Sequence, residues 1–442
     1  MTRIDHLRIN GFKGIDNLEV EPNSINLITG RNNTGKTSLL EAVDIVFNPE
    51  SIGRFKKNLD KVINAQSSSG SVGVEFRRSQ QLRLDDFDTS EPEKQVREVG
   101  FREPRPEEVA DIFDHTLKEI IDLNEGYPIR IEMSDESGNL DSAEFNLGMK
   151  DTLQDVVTEI PIDDISAKMK NNIIILEIEG YEYAYINLGL QYNEVRDDIV
   201  SRTYQKLVEE RPQVKETLEQ SEHSRNLTRD IRQAISANLA PRFGSNRFVG
   251  EDPSTVDGVK MIDSTLLEAD EISLAEENSA VRISDIEDYL KHNDIVENLN
   301  DFSFDSLVFE DDDEGKYEIP YQFMGDGFKT IVGVLWEVLS KERTGNVLLL
   351  EEPDVHMHPG YIEGLLEHLV QIVRTNDIQI FITTHNIDTI EGFFTEKMDE
   401  KQGEYLEENL QIIQLTDPVS RTLDYRSAEE EIEELGIDLR GI

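Results

Sequence analysis

Gly30-Arg31-Asn32-Asn33-Thr34-Gly35-Lys36-Thr37 fits the spacing G-x-x-x-x-G-K-[ST] in full, and its flanks decide how it is read. The run Ile25-Asn26-Leu27-Ile28 before it has the character of a buried strand. From Ser38 to Phe47 after it, Leu39, Leu40, Val43 and Val46 fall on one helical face, and Asn48-Pro49 ends the helix. A glycine-rich loop between strand and helix is a cradle for phosphates. Its glycines let backbone N–H groups point inward, and the helix that follows adds the positive end of its dipole. Lys36 is placed to reach the β and γ phosphates of ATP, and the Thr37 hydroxyl to help hold Mg²⁺. The candidate nucleotide contacts are therefore Gly30, Arg31, Asn32, Asn33, Thr34, Gly35, Lys36, Thr37 and Ser38.

A second apolar strand, Val347-Leu348-Leu349-Leu350, ends in Glu351-Glu352-Pro353-Asp354, and a strand's carboxyl end is where an open parallel sheet places its ligand crevice. Glu351 would stand near Mg²⁺, directly or through water. Glu352 would orient or deprotonate the attacking water. A third strand, Phe381-Ile382-Thr383-Thr384, ends at His385, which could sense the γ-phosphate or hold that water. Met324-Gly325-Asp326-Gly327 precedes a helix and reads as a helix N-terminus offered to an anion through its backbone. His356 and His358 have no third ligand near them in the sequence and read as a contact loop instead of a metal pair.

Composition sets limits on partners. The chain has 442 residues, 37% of them apolar, and 92 acidic against 44 basic residues give a net charge of −48. Such a surface repels nucleic acid and anionic lipid in ordinary salt, and the even spread of acid along the chain suits concentrated salt, as in a halophile. There is no cysteine, which excludes disulfides and thiolate metal sites. Neither a signal core nor a stretch long enough to span a bilayer is present, so no membrane and a cytoplasmic location are expected.

The expected fold class is α/β: a P-loop ATPase head with a mixed sheet, an antiparallel β lobe and an inserted helical domain. Residues 1–190 are expected to supply the first part of the head with the phosphate loop and β lobe. Residues 191–300, polar and mostly helical in period, would form the insertion. Residues 301–442 return to an α/β alternation of strands and crossover helices, which the resemblance described next makes the C-terminal part of the head.

The chain resembles the ABC-type ATPases of the SMC, RecF and OLD group, closest to OLD-like AAA ATPases. The resemblance is carried by Ile9-Asn10-Gly11-Phe12-Lys13-Gly14, the loop 30–37, Met324 to Gly327, Leu350 to Pro359, and Thr384-His385-Asn386. It implies that both ends of the chain join into one head and that Lys13 lies near the nucleotide. It also implies a homodimer in which Gly325, Asp326 and Gly327 of one copy cap the ATP of the other. The group usually has Asp where Glu351 stands and a serine in the signature turn, both absent here. Gln191 is a candidate for the group's Q-loop. OLD proteins carry a C-terminal nuclease domain, and too few residues follow His385 for one, so nuclease activity in this chain is not expected; a separate nuclease or effector subunit is one partner that the resemblance allows.

Arg225, Arg229, Arg232, Arg242 and Arg247 form an acid-poor island, with the first three on one helical face. They suit either DNA phosphates or carboxylates of the same protein. The functional reading is an ATP-hydrolysing dimeric switch in DNA repair or antiphage defence. The alternative is an ATP-gated scaffold with little turnover.

Overall fold

The computed structural model describes residues 2–55, 59–78, 93–122, 129–134, 140–145, 170–187, 192–210, 247–263, 279–292, 295–311, 315–339, 345–355, 359–395, 398–416, 420–433 and 437–440, with isolated positions between them. Two compact units are distinguished. The first comprises Met1–Ser51, Gly70–Val99 and Ser254–Ile442; the second comprises Ile52–Ser69 and Gly100–Pro253.

The first unit begins with β1 (Thr2–Phe12) and β2 (Ile15–Val20), an antiparallel pair in the register Phe12↔Ile15. Ile4, Leu7 and Ile9 are wholly buried, and the reversal at Lys13-Gly14 puts Lys13 at φ 49°. Next come β3 (Ile25–Gly30) and α1 (Lys36–Phe47), the strand and helix expected around the phosphate loop. Strand β4 (Ser69–Arg78) pairs antiparallel with β1, and Phe76 on it meets Phe47 of α1 edge to face at 5.1 Å.

The second layer is a six-stranded sheet that also uses β5 (Gly258–Asp263), β6 (Gly345–Glu351), β7 (Gln379–Thr383), β8 (Leu410–Leu415) and β9 (Arg421–Asp424). Its order is β5-β6-β7-β3-β8-β9, parallel throughout except for the β8–β9 pair. Ile25, Leu27, Leu348, Leu350, Ile380 and Ile382 pack in one core with the helices Asp326–Val338 and Pro359–Asn376, while α1 also packs on the sheet. A strand covered on both faces is apolar along its length, which is why β3 and β7 are buried at every position. Each Leu or Ile sealed in this way contributes about 1.5–3 kcal/mol.

Parallel register brings the ends of three strands to one edge of the sheet. Glu351 of β6 lies opposite Thr383 of β7, which lies opposite Ile28 of β3. On the other flank of β3, Leu415 lies opposite Gly30. The Leu439 carbonyl accepts from Thr29 Oγ1 at 2.9 Å and Gln414 Nε2 at 2.6 Å, fastening the chain's last described residues beneath the loop.

The described residues of 191–300 include strands as well as the expected helices. Helices occupy Tyr192–Glu210 and Ser279–His292, but Arg247–Val249, β5 and Leu299–Phe302 are strands. Strand β5 pairs with β6 in the six-stranded sheet. Its six residues are too few for a two-residue period to stand out against polar neighbours. Strands Ser306–Asp311 and Gly315–Pro320 pair antiparallel. In the second unit, strands Ile173–Ile178, Tyr181–Ile186 and Arg247–Val249 form an antiparallel ladder, accompanied by the helices Pro106–Asp122 and Tyr192–Glu210.

Candidate active site

The phosphate loop is built on two glycines that no other residue could replace without movement. Gly30 has φ 145°, and a Cβ there would stand 2.4 Å from the Leu415 carbonyl oxygen and 2.7 Å from Thr34 Oγ1. Gly35 has φ 99°, caps α1, and would drive a Cβ to 2.8 Å from Ile15 Cγ1. Between them Thr34 Oγ1 donates to the Arg31 carbonyl at 2.8 Å, and Asn33 takes φ 66°, a left-handed conformation that asparagine tolerates. No side chain caps α1, and its first turn holds no acidic residue, so its amides and dipole are kept for an anion.

Lys36 is 6% exposed and curls over the loop, donating to the carbonyls of Gly30 at 3.0 Å and Arg31 at 3.2 Å. Burial pushes its ammonium below the ordinary lysine pKa, and the charge of Glu352 opposes that shift. Thr37 Oγ1 donates to Glu351 Oε1 at 2.6 Å. The Glu351 side chain thus spans from the end of β6 to the first turn of α1. Ser38, next along α1, is buried.

Glu352 sits just past the end of β6 at φ 42°, a costly conformation for a residue with a Cβ, about 1–3 kcal/mol. What holds it there is β7: the Glu352 amide donates to both the carbonyl and the hydroxyl of Thr383, each at 3.1 Å. Its Oε1 lies 3.0 Å from His385 Nδ1, and both side chains are partly exposed. The acidic pair, the histidine and the phosphate loop are therefore brought together, with Glu352 close enough to influence Lys36.

The turn between β1 and β2 lies against the loop, since a Cβ on Gly14 would stand 3.7 Å from Gly35 Cα. Lys13 on that turn forms an ion pair with the nearly buried Glu41 of α1. Gly325, Asp326 and Gly327 lie elsewhere. They begin the helix Asp326–Val338 and border a cavity of about 600 Å³ with Phe328, Met357 and His368, and no phosphate-loop residue lines it. A Cβ on Gly327 would stand 3.2 Å from Met357 Sδ.

Of the arginine island, Arg232 places its guanidinium 4.9 Å over the Tyr204 ring within the second unit. Arg225, Arg242, Gln191, His356 and His358 lie outside the described residues. Three residues that shape the site escaped sequence reasoning: Thr383, Asp354 and Thr389. Thr383 brackets the Glu352 amide, and the nearly buried Asp354 accepts from the hydroxyls of Thr384, at 2.7 Å, and Thr389. The signal for the first two was the Thr383-Thr384 pair before the histidine and the acid two positions after Glu352.

A family model described as an AAA ATPase domain matches residues 3–390. The chain belongs to this AAA ATPase family. An uncharacterized protein of Methanocaldococcus jannaschii is 31% identical over 127 residues, which cover 27% of this AAA ATPase and all of that protein. Among solved structures, the Smc head domain of Pyrococcus furiosus, bound to the C-terminal domain of ScpA, is similar at a TM-score of 0.41 and 12% identity, covering 99% of this chain and 100% of that one. The SMC head domain of Thermotoga maritima gives 0.38 and 11%, covering 96% and 98%. Family membership makes the ATPase a nucleotide-binding protein and gives the loop at 30–37 its context. Among its described residues no helix is long and apolar enough to cross a membrane.

Proposed function

We propose that this AAA ATPase hydrolyses ATP where the phosphate loop meets the Glu351-Glu352 strand end, and that it works as a nucleotide-gated homodimer. The observation that carries the reading is the Glu352 carboxylate, held 3.0 Å from His385 on a bracketed turn whose preceding residue reaches Thr37.

In this reading the amides from Gly30 to Ser38, including those of Arg31, Asn32, Asn33 and Thr34, wrap the phosphates. The Lys36 ammonium exchanges its loop carbonyls for the β and γ oxygens. Mg²⁺ would neutralise charge on those oxygens. Thr37 Oγ1 and Glu351 Oε1 are the protein oxygens that would hold it. No group of three or more His, Cys, Asp or Glu suited to a metal occurs among the described residues, which fits a cation that keeps phosphate oxygens and waters as its other ligands. Glu352 takes the proton of a water as its oxygen bonds to the γ-phosphorus and the bond to the ADP oxygen breaks. His385 orients the Glu352 carboxylate from Nδ1. Lys13 pairs with Glu41 beside the loop and so removes a negative charge that would oppose the phosphates.

Support for the dimer comes from the start of the helix Asp326–Val338. Gly325 begins a 13-residue helix without a side-chain cap, and a Cβ on it would meet nothing within 4 Å. Gly325, Asp326 and Gly327 would then meet the nucleotide of a second copy through their backbone amides, since the Asp326 carboxylate in the first turn is itself an anion. The motif order supports placement among OLD-like ATPases. With it comes the expectation that the closed dimer acts in the cytoplasm on DNA or with a separate nuclease or effector subunit, in repair or antiphage defence. The acid-poor stretch holding Arg229 and Arg232 supports DNA as the partner.

Phosphate release in about molar potassium chloride, with and without DNA, tests this reading, since salt at that level screens the acidic surface. Turnover stimulated by DNA is expected. Tight ATP binding with no turnover under either condition would replace this reading with the ATP-gated scaffold.

A further inference from the structure

Asp354 is 4% exposed, and a buried carboxylate requires partners that repay its desolvation. Its Oδ2 accepts from Thr384 Oγ1 at 2.7 Å and from Thr389 Oγ1. These two hydroxyls lie on either side of His385: one on the residue before it, the other in the first turn of the helix Ile387–Gly392 after it. While its O–H donates a hydrogen bond to Asp354, the Thr384 hydroxyl oxygen accepts from the Asn386 amide at 2.9 Å, and the Asn386 side chain caps the helix by accepting from the Asp388 amide at 3.0 Å. Thr384 is anchored to β3 as well, its amide donating to the Ile28 carbonyl at 3.1 Å. Both neighbours of His385 are thus fixed. The fixing group belongs to the Glu352 turn, where Val355 donates to the Glu352 carbonyl and Met357 to that of Asp354.

We infer that Asp354 is a positioning residue for ATP hydrolysis. Its carboxylate ties the turn that carries Glu352 to the loop that carries His385, so that the 3.0 Å contact between the two side chains is built into the fold before nucleotide binds. This rests on the reading of Glu352 and His385 given above. Asp354 does not touch the reacting atoms. It acts through the register of the loop, where a displacement near 1 Å costs a rate on the order of 100-fold.

Kinetics of Asp354→Ala, Asp354→Asn, Thr384→Val and Thr389→Val test the inference, each alone and in a His385→Ala background. Asp354→Ala is expected to lower kcat about 10- to 100-fold while leaving ATP affinity within about threefold. Asp354→Asn keeps an acceptor for both hydroxyls and should recover most of the rate. With His385 already removed, none of the four should slow turnover further, because residues that act as one unit are not additive. The valine variants carry the test if the alanine protein fails to fold. Equal losses with and without His385, a parallel loss of ATP affinity, or an unchanged kcat would overturn the role.

A wild-type protein without turnover would defeat the hydrolysis reading alone. The positioning claim is then read from the His385 ring resonances of histidine-labelled protein. Glu352→Gln should shift them when Asp354 is present and leave them unmoved in Asp354→Ala; a shift that persists would overturn the claim.

Discussion

Lys36 illustrates how single side chains set the behaviour of this site. Its ammonium is nearly buried among loop carbonyls, and desolvation moves its pKa below the ordinary 10.5. The folded protein therefore releases this proton at lower pH than the unfolded chain does, so the residue destabilises the fold at low pH, and that penalty is relieved as pH rises through the lowered value. Binding ATP needs the charged form and so runs the other way. ATP affinity measured by calorimetry should fall on the alkaline side before the ordinary lysine range is reached. Lys36→Ala should weaken binding about 10- to 100-fold, the worth of a charge-assisted hydrogen bond, and remove that pH dependence. That Lys36, Glu352 and His385 come together was legible because each residue type stands at a strand end or in a spacing that few other chemistries use. Asp354 and Thr389 were not, because what they do depends on which backbone segments the folded sheet places side by side.

At the level of elements, the site exists because three parallel strands end together and a fourth closes the flank. Strand β8 does the closing, with the Leu415 carbonyl standing where a Cβ on Gly30 would have to go. Gly30→Ala would combine that clash with a φ of 145°, and it should destabilise the protein by about 2–4 kcal/mol, seen as a lowered denaturant midpoint with an unchanged slope. An unchanged midpoint would mean that the loop and β8 are not in contact. The elements that carry motifs were readable: β3, α1, β6, β7 and the helices beside them have clear apolar periods. Strand β8 was not, although its sequence Leu410-Gln411-Ile412-Ile413-Gln414-Leu415 is apolar enough, because nothing in a short apolar run says which neighbour it will join. Strand β5 was absorbed into a helical stretch for the related reason that its partner, β6, is distant in sequence.

For the whole molecule, charge is the dominant property. With a net charge of −48, self-repulsion opposes the compact state wherever it is unscreened. Raising potassium chloride from about 0.1 M to about 1 M shortens the Debye length from about 10 Å to about 3 Å, and the thermal midpoint should rise with it. A midpoint that stays level or falls would show that the acidic surface is no adaptation to salt. The ion pairs Arg77–Asp5, Arg102–Glu108 and Arg421–Glu431 are partly exposed and contribute little in such a medium, so the core and the sheet must carry the stability.

The most direct test of the account is the steady-state ATP turnover of Glu352→Gln beside wild type in about molar salt, with ATP affinity measured on both. A base that takes the proton of water leaves binding intact when it is neutralised, so kcat should drop by about 100-fold or more while affinity stays within about threefold. Turnover unchanged by the substitution would contradict the assignment of Glu352, and with it the claim that this strand end is where ATP is cleaved.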